Sequence, residues 1–138
     1  MKKTVLTTIV FFSILLSSCA DDAPIVNTAN NSLIDITSQD QFNEEVKEGV
    51  SLIFYHASWC SKCAAQRPAV EEVSEETEFS NVFFAEVEYE DFSEIVEDRG
   101  VNGFPTVVVY KDNVEIEKFS GQGHTTEQFR TALKQAQK

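Results

Sequence analysis

From Leu33 onward the chain alternates between two apolar patterns. Val50 to Tyr55 is a nearly continuous apolar run, as a strand buried on both faces requires, and Val82 to Val87 is another. Leu33 to Ile36 reads as a shorter strand. Between these runs the spacing becomes helical. Ser38, with Gln41 three residues on, marks a helix start, Phe42 and Val46 form its apolar stripe, and Gly49 ends it. A second helix is predicted from about Ser61 to Glu78, kinked at Pro68, and a short third one over Phe92 to Asp98, closed by Gly100. Thr106 to Tyr110 and Val114 to Phe119 are β-rich runs joined as a hairpin by Lys111-Asp112-Asn113. Thr125 and Gln128 form a capping box for a last helix to about Gln137, with Phe129 and Leu133 facing inward. The order β-α-β-α-β-α-β-β-α predicts an α/β fold, a central mixed sheet with helices on both faces. Helix-linked strands are expected as parallel neighbours and the hairpin pair as antiparallel.

Ahead of Leu33 the pattern changes. Lys2 and Lys3 precede an apolar run of 12 residues, Val5 to Leu16, shorter than the roughly 20 that a membrane span needs. Leu16-Ser17-Ser18-Cys19 then sets two small residues before a cysteine. This resembles the lipobox of bacterial lipoproteins, and the resemblance implies cleavage before Cys19 and a diacylglycerol on its thiol. Residues 1–18 are read as a lipoprotein signal peptide. Ordinary secretion would leave Cys19 as an odd free thiol needing its own explanation. Two acyl chains hold a protein stably at a membrane. The expected address is therefore the bacterial cell envelope, outside the cytoplasm, where disulfides persist. Residues 19–32 are the lipidated cysteine and a small, polar tether with a reach of about 20 Å. Residues 33–138 form one domain.

Charge narrows the partners. The 138 residues carry 23 Asp and Glu against 11 Lys and Arg. Cleavage before Cys19 would leave nine bases against 23 acids, a balance of −14. Nucleic acid, which needs a basic footprint, is excluded as a partner. The run from Glu71 to Asp98 holds 12 acids and no base; it reads as a solvated face, one that would repel acidic partners.

Trp59-Cys60-Ser61-Lys62-Cys63 falls where a buried strand gives way to a helix. Cys60 would sit at the helix N-terminus, where unpaired N–H groups and the macrodipole favour a thiolate. Cys63 lies one turn on, within reach to close a small disulfide ring. The pair supplies both roles of dithiol exchange: an exposed sulfur that attacks and a second that resolves the mixed disulfide. Ser61 and Lys62 offer a hydroxyl donor and a cation to the thiolate. Two other uses of such a pair are a static structural disulfide and half a zinc site. For zinc no second pair exists beyond Cys19, and His56 and His124 stand 68 residues apart. No metal and no cofactor are expected.

On these residues the chain resembles thioredoxin and its relatives over essentially all of Leu33 to Lys138. Trp59 to Cys63 matches their Trp-Cys-x-x-Cys motif, Pro68 falls where they kink the active-site helix, and Arg99 to Thr106 looks like their cis-proline segment. The resemblance implies a three-layer thioredoxin-like fold, a cis Pro105, and a substrate groove shaped by Trp59, Phe104 and Pro105, with Gly121 on its flank. It implies a thiol–disulfide oxidoreductase whose catalytic residues are Cys60 and Cys63. The partners would be protein thiols and disulfides together with a redox partner, and the membrane through the lipid anchor. The chain departs from the family at three places. Phe54 stands where the family buries an acid, Glu86 where it has the matching lysine, and Ser61-Lys62 between the cysteines. Cys63 is thus expected to lack its usual base, with His56 as a candidate relay and Glu86 as a modulator of the potential. The rival reading is a non-catalytic peptide-binding module with a fixed disulfide, which the missing acid at Phe54 favours.

Overall fold

The computed structural model describes residues 32–138. The signal peptide, Cys19 and nearly all of the tether lie outside the described residues. In chain order the elements are β1 (Ile34–Asp35), α1 (Gln39–Lys47), β2 (Val50–His56), α2 (Ser61–Ser74), a single 3₁₀ turn (Thr77–Phe79), β3 (Phe83–Glu88), α3 (Ser93–Asp98), β4 (Thr106–Lys111), β5 (Val114–Ser120) and α4 (Thr126–Ala136). The expected order of elements is present, with the 3₁₀ turn added.

The five strands form one sheet in the order β1-β3-β2-β4-β5. The first three are parallel, and β4 and β5 run antiparallel to their neighbours. This corrects the rule that helix-linked strands pair. β1 lies against β3 rather than β2, and β4, reached through α3, lies antiparallel against β2. For β4 the reason is length. α3 has six residues, about 9 Å of helix, against about 20 Å for the six-residue β3. The helix is too short to return the chain along β3, and β4 starts from the end where β3 stopped.

Strand periodicity sorts the core into two layers. Leu52, Phe54, Phe84, Val107 and Val109 pack on one face with Val70 and Val73 of α2 and Phe129 and Leu133 of α4. Ile53, Tyr55, Ala85, Val87, Val108 and Tyr110 pack on the other with Phe42 and Val46 of α1 and Ile95 of α3. The helix ends follow from local chemistry. Ser38 Oγ caps α1 by accepting from Gln41 N–H, while the Gln41 side chain reaches one residue further back, to Thr37. The Thr125–Gln128 capping box forms as expected. The β4–β5 turn narrows to Asp112-Asn113, both at positive φ, as a two-residue hairpin turn matched to strand twist requires.

α2 stops four residues short of its predicted end. Glu76 leaves helical geometry (φ −72°, ψ 124°), and its carboxylate accepts two hydrogen bonds from Arg130 of α4, at 2.6 and 2.9 Å. That fork fixes α4 across the end of α2. Leu133 in α4 is wholly buried and Val114 on the edge strand is 61% exposed. Leu133→Ala should therefore lower unfolding free energy by about 2–5 kcal/mol, and Val114→Ala should change it by less than about 0.5 kcal/mol, both read from urea titrations at pH 7.

Candidate active site

β2 ends at His56, and four residues, Ala57–Cys60, carry the chain to the first turn of α2. The loop is closed by a hydrogen bond from Cys60 N–H to the Ala57 carbonyl, 3.1 Å. It is also tied sideways. Glu90, in the loop after β3, accepts from Ser58 Oγ at 2.7 Å and from Ser58 N–H at 3.2 Å. Cys60 is the N-cap of α2, and its Sγ accepts from Cys63 N–H at 3.1 Å. The two cysteines are disulfide-bonded, with Cα atoms 5.3 Å apart. Their environments differ: Cys60 is half-buried and Cys63 is 4% exposed. Together the N–H donor and the helix N-terminus stabilise negative charge on the outer sulfur.

Ser61 and Lys62 stand exposed on the first turn. Trp59 is 68% exposed and meets the Phe104 ring edge-on at 6.0 Å, and Phe104 in turn tilts against Tyr89 at 5.3 Å. The Phe104–Pro105 peptide is cis. Beside these rings lies a cavity of about 350 Å³, lined by Trp59, Tyr89 and Phe104 together with Val96, Glu97 and Val101 to Gly103. A second hollow, about 530 Å³, lies along Gly100 to Phe104 and includes Gly121, so that glycine does flank the groove region. Among the described residues no group of three or more His, Cys, Asp and Glu is placed to hold a metal.

Phe54 leaves β2 without the acid that the family buries there, and a buried carboxylate stands on the neighbouring strand. Glu86 on β3 is the register partner of Phe54 and is 6% exposed. Arg67, one turn beyond Cys63 on α2, donates to Glu86 Oε2 at 2.5 Å while its guanidinium lies over the Phe54 ring, 5.2 Å from the centroid. His56 Nε2 lies 3.3 Å from the same oxygen, and its ring stacks on Phe54 at 5.4 Å. Burial by itself pushes the Glu86 carboxyl up. The hydrogen bonds from His56 and Arg67, with the Arg67 charge, outweigh it and bring the group down to about 2. On the other side, hydrogen bonding to Glu86, burial and the Glu86 charge hold Asp35 above the usual carboxylate range. Glu86 is therefore not a lone negative charge near the sulfurs but the centre of a paired cluster.

Sequence reasoning missed Arg67, Glu90 and Tyr89. Arg67 carried a signal: it is the one base between Lys62 and Arg99, and it shares a helical face with Cys63. Glu90 and Tyr89 sat inside an acidic stretch with nothing to single them out. His124, by contrast, is architectural. Its backbone exchanges two hydrogen bonds with the buried Gln66 side chain, at 2.7 and 3.0 Å.

Comparison with known proteins agrees with this geometry. The thioredoxin family profile matches residues 33–135. A thioredoxin of Chlamydia caviae is 30% identical over 89 residues, 64% of this chain and 85% of that protein. A thioredoxin of Coprinus comatus is 33% identical over 91 residues, 65% and 86% of the two chains. Among solved structures, thioredoxin of Malassezia sympodialis superposes with a TM-score of 0.69 at 27% identity, covering 82% of this chain and 97% of the other.

The Glu86 cluster makes stability depend on pH in a defined direction. A carboxyl held below its ordinary 4.5 contributes fully above that pH, and the contribution disappears as pH falls toward 2. Glu86→Gln should be destabilised by about 2–3 kcal/mol at pH 7. In urea titrations its deficit against the parent should shrink steadily between pH 4.5 and 2. A deficit independent of pH would mean that the charge on Glu86 contributes nothing.

Proposed function

As a member of the thioredoxin family with an intact Cys60–Cys63 pair, the chain is a thiol–disulfide oxidoreductase, and we propose that it works outside the cytoplasm on protein substrates, held to a membrane by lipid on Cys19. The observation that carries the chemistry is the asymmetry of the pair. Cys60 is half-buried, next in the chain to the Trp59 that lines an aromatic cavity, and its Sγ accepts an N–H at a helix N-terminus, while Cys63 is buried.

The exchange balances on these two sulfurs. In the reduced protein the Cys60 thiolate attacks one sulfur of a client disulfide; the client's other sulfur leaves as a thiolate and takes a proton. The Cys63 thiol gives up its proton and attacks Cys60 Sγ. The Cys60–Cys63 bond forms, and the first client sulfur departs and is protonated in turn. Two electrons pass to the client and two protons follow. Run backwards, the same atoms donate a disulfide. Trp59, Phe104 and Pro105 form the surface that a client cysteine approaches, and the chemistry calls for no cofactor.

The proposed address rests on the amino-terminal pattern: a basic start, 12 apolar residues and Leu16-Ser17-Ser18-Cys19. The 13-residue tether, Ala20 to Ser32, would let the domain range about 20 Å from its anchor. Cys19→Ala should shift the protein from the membrane to the soluble fraction of fractionated cells; retention in the membrane would contradict lipid anchoring.

Cys63→Ser should accumulate mixed disulfides with cellular proteins, seen as reductant-sensitive bands on non-reducing gels. Those bands should vanish when Cys60→Ser is added. A fixed disulfide in a peptide-binding module predicts no such bands in either variant.

A further inference from the structure

The cavity lined by Trp59, the chain neighbour of Cys60, carries information about which clients the site admits. Its wall is apolar and aromatic, with Trp59, Phe104 and Tyr89 each packed on the next. Its rim is acidic. Glu97, exposed on α3, lines the cavity directly. Glu97 is the one charged residue in that lining; Glu90 is spent on Ser58, from which it accepts at 2.7 Å, and does not line the cavity. No base lines this cavity, although Lys118 lines the adjoining hollow along Gly100 to Phe104. Arg99 lies over the Phe42 and Tyr110 rings, 4.8 and 5.5 Å from their centroids, and bonds to Asn113. Arg67 is committed to Glu86, and Lys118 is paired with Glu115 at 2.8 Å. None of these, nor Lys62, lines the cavity.

The geometry points to a client class: cysteine-bearing segments in which a bulky apolar side chain, seated among Trp59, Tyr89 and Phe104, is flanked by Lys or Arg facing Glu97. This inference rests on the exchange reading above and adds a charge preference to it. An acidic segment in the same place would set like charges together at the rim, which slows encounter and costs binding energy. The preference acts through exposed charges, so salt screens it.

The test uses three peptides of one sequence, each closed by a single disulfide around an aromatic residue, whose flanking residues are Lys, Gln or Glu. The reduced protein should exchange with the Lys peptide on the order of tenfold faster than with the Glu peptide at low ionic strength. The Gln peptide should fall between, and the three should converge near 1 M salt, where the screening length is about 3 Å. Glu97→Gln should compress the series, and Glu97→Lys should reverse it. Equal rates for the three peptides at low salt would overturn the inference, as would a series that Glu97→Lys leaves in its original order. Hydroxyethyl disulfide, small and uncharged, separates the two levels of the account. Exchange with it, without any order among the peptides, removes the charge preference alone. No exchange with any of the four disulfides removes the oxidoreductase reading as well.

Discussion

The site depends on β2 being unable to move. That strand is hydrogen-bonded along its length to β3 on one side and β4 on the other, and Leu52 to Tyr55 are wholly buried between the two helical layers. Its carboxyl end is therefore fixed, and only four residues separate that end from the first turn of α2. Over so short a span the loop has little freedom. The Ala57–Cys60 turn and the Ser58–Glu90 contact remove most of what is left. Cys60 is consequently held at a helix N-terminus with its sulfur outward, and Cys63, one turn later, points back into the core. The difference between the two sulfurs is a consequence of where the strand ends.

Three electrostatic influences act around that pair, and they differ in reach. The α2 N-terminus acts directly on Cys60 through the Cys63 N–H, an effect of about 0.3–1 kcal/mol in ordinary settings. The Glu86 charge is largely offset by the Arg67 guanidinium, with the His56 ring as a further close neighbour. Its effect on the sulfurs is smaller than a bare buried charge would give, and its main role is to bind β3, β2 and α2 into one cluster. Glu97 lies on the solvent side, where screening weakens it at the sulfur. There it acts chiefly on what approaches the groove.

Most of the fold was legible because it is written in local patterns. The apolar runs at Val50 and Val82, the Phe42/Val46 stripe and the Thr125–Gln128 capping box each became the element they indicate. The Cys60–Cys63 pair was legible for the same reason, since spacing and position at a strand-to-helix junction are local facts. Strand order and direction were not: β1 pairs with β3, 51 positions on, and the antiparallel entry of β4 turned on a six-residue α3 too short to span the sheet. The Glu86 cluster was hidden more deeply. Phe54 and Glu86 are 32 positions apart. The sequence shows both the acid lost at Phe54 and the Glu86 on β3, and only the register shows that the two positions are neighbours. The early end of α2 was hidden likewise, because the Arg130 that draws Glu76 out of the helix lies 54 residues further on.

Cys60 and Cys63 form a working dithiol rather than a fixed brace. The most direct measurement equilibrates the protein in glutathione buffers of graded redox potential and reads the fraction oxidised by thiol alkylation. A working dithiol gives a reversible two-electron transition with a midpoint between about −270 and −120 mV, the interval spanned by dithiol oxidoreductases from reductant to strong oxidant. A pair that stays oxidised across the whole series would contradict it.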